Sequence, residues 1–219
     1  MSKMYENGVS KCYLYPVDST VQTGTPYVNG VPWVGITSIQ ESPSGADITN
    51  LYADNVKYAQ LQAAEEFGAT VEAYTYPDEF AACDGSASLG TNLGAVFGQQ
   101  VRKMFGLCYR TEYTDGETGQ KYYKLHLVYG LNAKPSERAY ETINDSPDAI
   151  TFSWEMSSTP VNFTEGGVTY STSIITVDSK NATDKGLAAL EALLYGNGSS
   201  SQPQLPLPSA VKTALSSTT

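Results

Sequence analysis

The sequence predicts a mainly β protein, built as one antiparallel β-sandwich or barrel with little helix. Its 219 residues suit one large all-β domain or two small ones, which excludes a multidomain machine. Sixteen tyrosines, with many threonines, valines and isoleucines, favour extended structure because branched and aromatic side chains fit a pleated, half-buried surface. Hydrophobic residues make up 41% and charged residues 16%, a balance that supports a core and excludes disorder as the main state.

The clearest predicted strand covers residues 149–157, AITFSWEMS. Apolar and polar side chains alternate along it, which is typical of an antiparallel strand with one buried face. The predicted buried face carries Ile150, Phe152, Trp154 and Met156, and the polar face carries Thr151, Ser153, Glu155 and Ser157.

The best hairpin signal joins residues 107–113 to residues 120–131, which alternate in the same way. Asp115, Gly116 and Gly119 lie between the two runs and supply the turn residues that a chain reversal needs. Weaker strands are predicted at residues 11–15, 32–39, 56–62, 69–76 and 168–177.

Only two helices are predicted. Pro77 and the acids after it indicate a helix of one or two turns that ends by Gly85. Residues 184–195 carry a leucine stripe, with Thr183 as the N-cap and Gly196 as the stop. So little helix argues against a parallel α/β sheet.

The predicted body covers residues 1–196, and residues 197–219 form a tail too rich in serine and proline to hold a core of its own. Within this tail, Leu205 to Pro208 read LPLP. Two leucines in an extended, polyproline-like rod are poor choices for a solvent-facing segment, so we expect this motif to dock on another surface.

The chain is acidic, with 13 lysines and arginines against 23 acids and a net charge of -10. This balance is the opposite of what phosphate neutralisation needs and excludes direct gripping of nucleic acid. Residues 41–95 hold nine acids against one lysine, whereas residues 101–138 hold seven basic residues against four acids. The asymmetry has two interpretations: ordinary solvated surface, or complementary faces that meet in a head-to-tail stack.

No metal, cofactor, membrane span or export segment is expected. Cys12, Cys83 and Cys108 lack the close spacing of metal ligands, so we interpret them as reduced and structural rather than as a zinc site with His126. No run of apolar residues approaches the length of a membrane span, which makes the cytoplasm the default compartment.

The features that resemble an enzyme or a sugar-binding site have simpler structural interpretations. His126, the single histidine, lies on the predicted polar face beside Lys124 and Tyr122, which indicates a strand-surface residue rather than a catalytic one. Glu155 resembles a glycosidase carboxylate, but its partner acid is undefined and a solvated strand position explains it. The aromatic residues that would stack on sugar rings are Trp33, Tyr74, Tyr76 and Tyr122, although tyrosines in sheets usually pack across strands.

Several stretches together resemble the major tail tube proteins of long-tailed, non-contractile phages, especially those of Gram-positive hosts. They are LYADNVKY at 51–58, VEAYTYPDEFAACDG at 71–85, FGQQVRKMFGLCYRTEY at 97–113 and ITFSWEMSSTPV at 150–161. The ending is similar too, with a leucine-rich helix closing in LLYG at 193–196 and then LPLP at 205–208. The order and spacing of these stretches carry the resemblance.

The resemblance implies a structural β-sandwich subunit, without catalysis or cofactor, that forms hexameric rings stacked head to tail into the tail tube of a virion. Such a tube is assembled in the host cytoplasm. Each subunit's partners are further copies of itself, the tape measure protein, and the terminator and distal tail proteins. DNA passes through the tube without specific binding. We expect Glu65, Glu66, Glu72 and Glu155 to face the lumen, because they combine polar-face positions or local acidity.

The expected contacts between subunits are Leu205, Pro206, Leu207 and Pro208, with the tail from Gly198 onward, or a loop around residues 40–55 or 84–98, lying on a neighbour. The alternative hypothesis is a carbohydrate-binding or adhesin-type β-sandwich of the virion surface.

Overall fold

The computed structural model describes residues 3–90, 93–140, 142, 149–197 and 201–216. Its strands are β1 (Met4–Pro16), β2 (Val31–Pro32), β3 (Ile36–Glu41), β4 (Ser44–Gly45), β5 (Ile48–Ala53), β6 (Val56–Gln62), β7 (Glu65–Glu66), β8 (Gly68–Ala73), β9 (Ala87–Ser88), β10 (Val96–Phe97), β11 (Phe105–Asp115), β12 (Lys121–Ala133), β13 (Phe152–Ser158), β14 (Val161–Glu165), β15 (Val168–Thr172) and β16 (Ile174–Asp178). A 3-10 helix covers Asp78–Ala82, and the α-helices are α1 (Asp184–Tyr195) and α2 (Pro208–Leu215). The prediction of a mainly β, antiparallel fold with short helices is confirmed.

The main sheet has the order β2-β1-β11-β12-β13-β8-β3, and all its pairs are antiparallel. The central strand β12 changes its neighbour along its length: residues 124–128 pair with β16, and residues 131–133 pair with β13. Gly130 lies at this change with φ +61°, where any side chain would collide with the carbonyl oxygen of Thr159. The sheet curls until β3 approaches β1, which gives it the shape of a barrel.

The inner core fills this barrel with aromatic rings. Phe80 of the 3-10 helix enters from one end and packs against Trp33 and Trp154, with ring centroids 4.5 Å and 5.2 Å away. The burial of Trp154 and Met156 confirms the buried face predicted for β13. The further members of the inner core are Cys12, Leu14, Val71, Ala73, Cys83, Phe105, Leu107, Tyr109, Val128, Leu131 and Ala133.

A second, outer core lies between the opposite face of the sheet and the two α-helices. Leu125, Leu127 and Tyr129 of β12 face it, together with Leu187, Leu190 and Leu194 of α1. The predicted N-cap is confirmed, because the Thr183 hydroxyl accepts a hydrogen bond from the Gly186 amide at 3.2 Å. The hairpin β11–β12 therefore has a core on each of its faces.

The C-terminal segment docks on the body of the protein and completes this outer core. Residues 203–205 run extended along the loop before β2: the Gly30 amide donates to the Pro203 carbonyl (2.8 Å), and the Leu205 amide donates to the Tyr27 carbonyl (3.0 Å). Leu205 is fully buried, and helix α2, which was not predicted, packs against α1. The place where this segment docks could not be predicted, because its burial depends on contacts far away in the sequence.

Leu205→Ala should lower the free energy of unfolding by about 2–5 kcal/mol, because it removes a fully buried side chain and leaves a cavity. Leu61→Ala is the matched control, since Leu61 is exposed and the same substitution there should change stability by less than about 0.5 kcal/mol. Urea denaturation of the full chain followed by tryptophan fluorescence measures both. Equal stability of the two variants would show that the C-terminal segment is a dispensable tail.

Candidate self-association surfaces

Residues 44–66 form a two-stranded ribbon, which we call the arm. It continues β3 and β8 outward through β4 and β7 and ends in the hairpin of β5 and β6. Asp54 and Asn55 form the two-residue tip, and both have positive φ (50° and 63°), as the tightest hairpin turns require. The arm residues are exposed except Ala46 and Ala59, which are half-buried.

One face of the arm is apolar. The opposed pairs Thr49 with Leu61, Leu51 with Ala59 and Ala53 with Val56 follow each other at every second position of β5, so these six side chains share a face. Leu51, Val56 and Leu61 are 41%, 61% and 56% exposed, and no charged side chain lies among these six. The opposite face mixes the exposed Ile48 and Tyr52 with Asn50, Gln60, Gln62 and Lys57. A two-stranded ribbon is marginally stable by itself in water, and a continuous apolar face on it is typical of an interaction surface.

A second exposed apolar surface, the 89–104 surface, surrounds the short pair of β9 and β10. Its described members are Leu89, Leu93, Val96, Phe97, Val101 and Met104. Val101 is 95% exposed and is followed by Arg102 and Lys103. The arm, in contrast, carries the acids Asp47, Asp54, Glu65 and Glu66 against the single base Lys57. Arg102 forms an ion pair with Asp84 of the same chain, so the exposed Lys103 is the positive charge beside this surface, in contrast to the acids of the arm.

The four acids predicted to face a lumen fall into two groups. In the register of β3, β8 and β13, Glu72 lies opposite Ser38 and Ser153, and Glu155 lies opposite Thr70. These residues share one face, the outer polar face, which points away from the inner core. Glu65 and Glu66 lie instead in β7 on the arm, where as sequence neighbours they point to opposite sides of the ribbon.

Hydrogen bonds and ion pairs hold both acids of the outer polar face. The Ser38 hydroxyl donates to a carboxylate oxygen of Glu72 at 2.9 Å, and Glu155 forms an ion pair with Lys134. Glu155 is exposed, in agreement with its interpretation as a solvated strand position.

The LPLP motif, which was predicted to contact a neighbouring subunit, docks on its own chain in this structure. Leu205, Pro206 and Pro208 are buried, and Leu207 is half-buried. The Tyr129 hydroxyl also donates to the Pro206 carbonyl at 2.8 Å. The apolar side chains of the motif therefore pack into the outer core. The arm, whose apolar side chains are exposed, is the better candidate for a contact between copies.

His126 is not the surface residue that the sequence suggested. It is only 8% exposed and lies at one mouth of the barrel, stacked on the ring of Tyr109. Burial lowers the pKa of His126, and burial together with the hydrogen bond to Glu41 raises the pKa of the Tyr109 hydroxyl. Alternation placed His126 on the correct side of β12, but it could not show that this side faces the interior.

The aromatic side chains considered for sugar stacking are largely occupied by neighbours. Trp33 is buried in the inner core, Tyr76 packs against Phe152 and Trp154, and Tyr122 stacks on Tyr113 at 5.4 Å. A cavity between β1 and β3, beside Trp33, measures about 180 Å³, below the roughly 300–1,000 Å³ of ordinary small-molecule sites.

Within the described part of the chain, no three or more His, Cys, Asp or Glu side chains are placed to hold a metal ion. Cys12, Cys83 and Cys108 are all free thiols in the interior. Among the helices of the described ranges, none has the length and apolar character needed to cross a membrane.

The three thiols should be unreactive in the folded protein. Burial raises the pKa of Cys83 and of Cys108 to about 12 and that of Cys12 well above its usual range, so little reactive thiolate exists at pH 8. A colorimetric thiol reagent at pH 8 should therefore detect no fast-reacting thiol before denaturation and three afterwards. A thiol that reacts in the native protein as fast as free cysteine would contradict this packing.

Comparison with protein-family models and with curated proteins finds no match to this chain. Its function is therefore argued from its own surfaces.

Proposed function

We propose that this protein is a structural virion component whose copies form hexameric rings that stack head to tail into a phage tail tube. The single observation that carries the proposal is the apolar face of the arm, which projects from the barrel with Leu51, Val56 and Leu61 exposed. Covering this face requires another molecule, and a protein that assembles from identical copies always has one available. The resemblance of the sequence to tail tube proteins supports the same assignment.

The distribution of surfaces supports a head-to-tail contact rather than a closed two-fold dimer. The arm and the 89–104 surface are separate, and acidic residues surround the first while the exposed Lys103 borders the second. A contact between two different patches of the same chain is heterologous, and its repetition gives rings or open filaments. Charges of opposite sign favour this register over arm-to-arm pairing.

The outer polar face is the proposed wall of the lumen. Glu72 lies on it among serine and threonine side chains, and Glu155 is paired there with Lys134, so it offers DNA hydrogen-bonding groups and a modest negative charge. Salt screens this repulsion within roughly 8–10 Å, so it acts only close to the wall. In this assignment the tape measure protein occupies the lumen before ejection, and the terminator and distal tail proteins contact the two ends.

Leu61→Ser should abolish assembly while leaving the folded single chain intact, because Leu61 contributes to the apolar face and not to either core. Gln60→Ser is the matched control, since Gln60 is the sequence neighbour on the opposite face of the same strand. Sedimentation velocity and negative-stain electron microscopy should show tubes for the wild type and for Gln60→Ser, and single subunits for Leu61→Ser. Identical assembly of all three proteins would refute a role for the arm.

Reversal of the charge on the outer polar face should make assembled tubes retain duplex DNA at low salt. The variant is Glu72→Lys with Glu155→Lys, and the control is Glu117→Lys with Glu137→Lys, which changes the net charge equally at exposed positions elsewhere. Retention by the first pair should fall steeply as salt rises, because each new phosphate contact releases counterions. Equal retention by both double variants would mean that the outer polar face does not line the lumen.

A further inference from the structure

A compact polar cluster lies where the end of β3 meets the mouth of the barrel. The Tyr109 hydroxyl of β11 donates a hydrogen bond to Oε1 of Glu41 at 2.5 Å. The ring of Tyr109 stacks on His126 of β12, with ring centroids 4.7 Å apart and planes within 5° of parallel. Tyr109 and His126 are both buried, whereas Glu41 reaches them from the exposed end of its strand.

Two threonines and Glu41 hold the imidazole ring of His126 in place. The Thr111 hydroxyl of β11 lies 3.0 Å from Nε2, and the Thr176 hydroxyl of β16 lies 3.4 Å from Nδ1. The carboxylate oxygen Oε1 of Glu41 lies 3.5 Å from the same Nδ1. One carboxylate oxygen of β3 is therefore shared between the tyrosine hydroxyl and the histidine ring.

Glu41 is the last residue of β3, and the arm begins three residues later. Directly after Glu41, the Ser42 amide donates to the Gly68 carbonyl at 2.8 Å, the rung that joins the two sides of the arm root. The next rungs outward join the Ala46 amide to the Ala64 carbonyl and the Ala63 amide to the Asp47 carbonyl. The position of Glu41 thus determines the direction in which the ribbon leaves the barrel.

We propose that Tyr109 and His126 are positioning residues for the arm and act through Glu41. Tyr109 supplies the hydrogen bond that holds the Glu41 carboxylate at the barrel mouth, and the stacked His126 holds the Tyr109 ring in the orientation that makes this bond. The importance of a correctly aimed arm for assembly rests on the proposed function, but the positioning itself is a property of the single chain.

The cluster makes the arm root sensitive to acid. The titratable and charged groups that face His126 are Glu41 from β3, Glu6 from β1, Tyr109 from β11 and Lys124 from its own strand, while β16 contributes the neutral Thr176. Burial lowers the pKa of His126, and this effect outweighs the attraction of Glu41 and Glu6. The packed cluster, in which His126 is buried and neutral, therefore has its full stability above the ordinary histidine pKa of about 6.5. It loses stability as the pH falls below that value.

Hydrogen exchange of the full-length protein, measured on the Ser42, Ala46 and Ala63 amides as protection factors at pH 7.5 and pH 5.0, tests the proposal. In the wild type, protection should fall on acidification, because protonation of the buried imidazole is disfavoured. Tyr109→Phe should lower protection about fivefold already at pH 7.5, the equivalent of one hydrogen bond of about 1 kcal/mol. His126→Gln removes both the stacked ring and the titratable group, so it should lower protection at pH 7.5 and show no further fall at pH 5.0.

Two controls separate positioning from general stability. Tyr58→Phe makes the same substitution at an exposed tyrosine of the arm and should leave the root amides unchanged. The amides of the β8–β13 ladder should keep their protection in Tyr109→Phe and His126→Gln. Any of three results would overturn the proposal. They are unchanged root protection in Tyr109→Phe, an equal pH response in the wild type and His126→Gln, and an equal loss of protection at the root and in the β8–β13 ladder.

The result is independent of assembly, because exchange at the root is measured on unassembled subunits. A chain that never forms tubes but shows the predicted exchange pattern would refute the proposed function and leave the positioning role intact. A protein that forms tubes, but whose root amides do not respond to acid or to Tyr109→Phe, would refute the positioning role and leave the proposed function intact.

Discussion

The structure depends on the burial of one hairpin on both of its faces. Successive residues of β11 and β12 point alternately into the inner and the outer core, as Leu107 and Cys108 do at adjacent positions. Two filled faces require two covering layers from the same chain. The curled sheet closes around the first face, and α1, α2 and the C-terminal segment cover the second.

This demand uses most apolar side chains of the main sheet inside the molecule, whereas exposed apolar side chains are prominent in the arm and in the 89–104 surface. Leu205 is used to cover the outer core, and Trp33 and Phe80 close the inner one. The arm receives no such cover from the described residues of its own chain, yet one of its faces is apolar. Association between copies is the explanation that we propose for this face.

The sequence was most informative where local signals decide the structure. Alternation around Trp154 predicted the buried face of β13, and Thr183 and Gly196 correctly bounded helix α1. Alternation also grouped His126 with Lys124, but whether that face is interior depends on how the sheet curls, which is a property of the topology. The docking of Leu205 beside Tyr27 was equally invisible, because the contact spans most of the chain and composition reports only local preference. The shared face of Leu51 and Leu61 follows from a register that only the folded ribbon defines.

The measurement that tests the central claim most directly is the hydrogen exchange of β5 and β6 in dilute protein and in assembled protein. If a second copy covers the apolar face of the arm, the amides of residues 48–62 should exchange fast in the dilute chain and become strongly protected once particles form. Particles in which these strands exchange as fast as in the single chain, or a chain that stays monomeric at every concentration, would contradict the account.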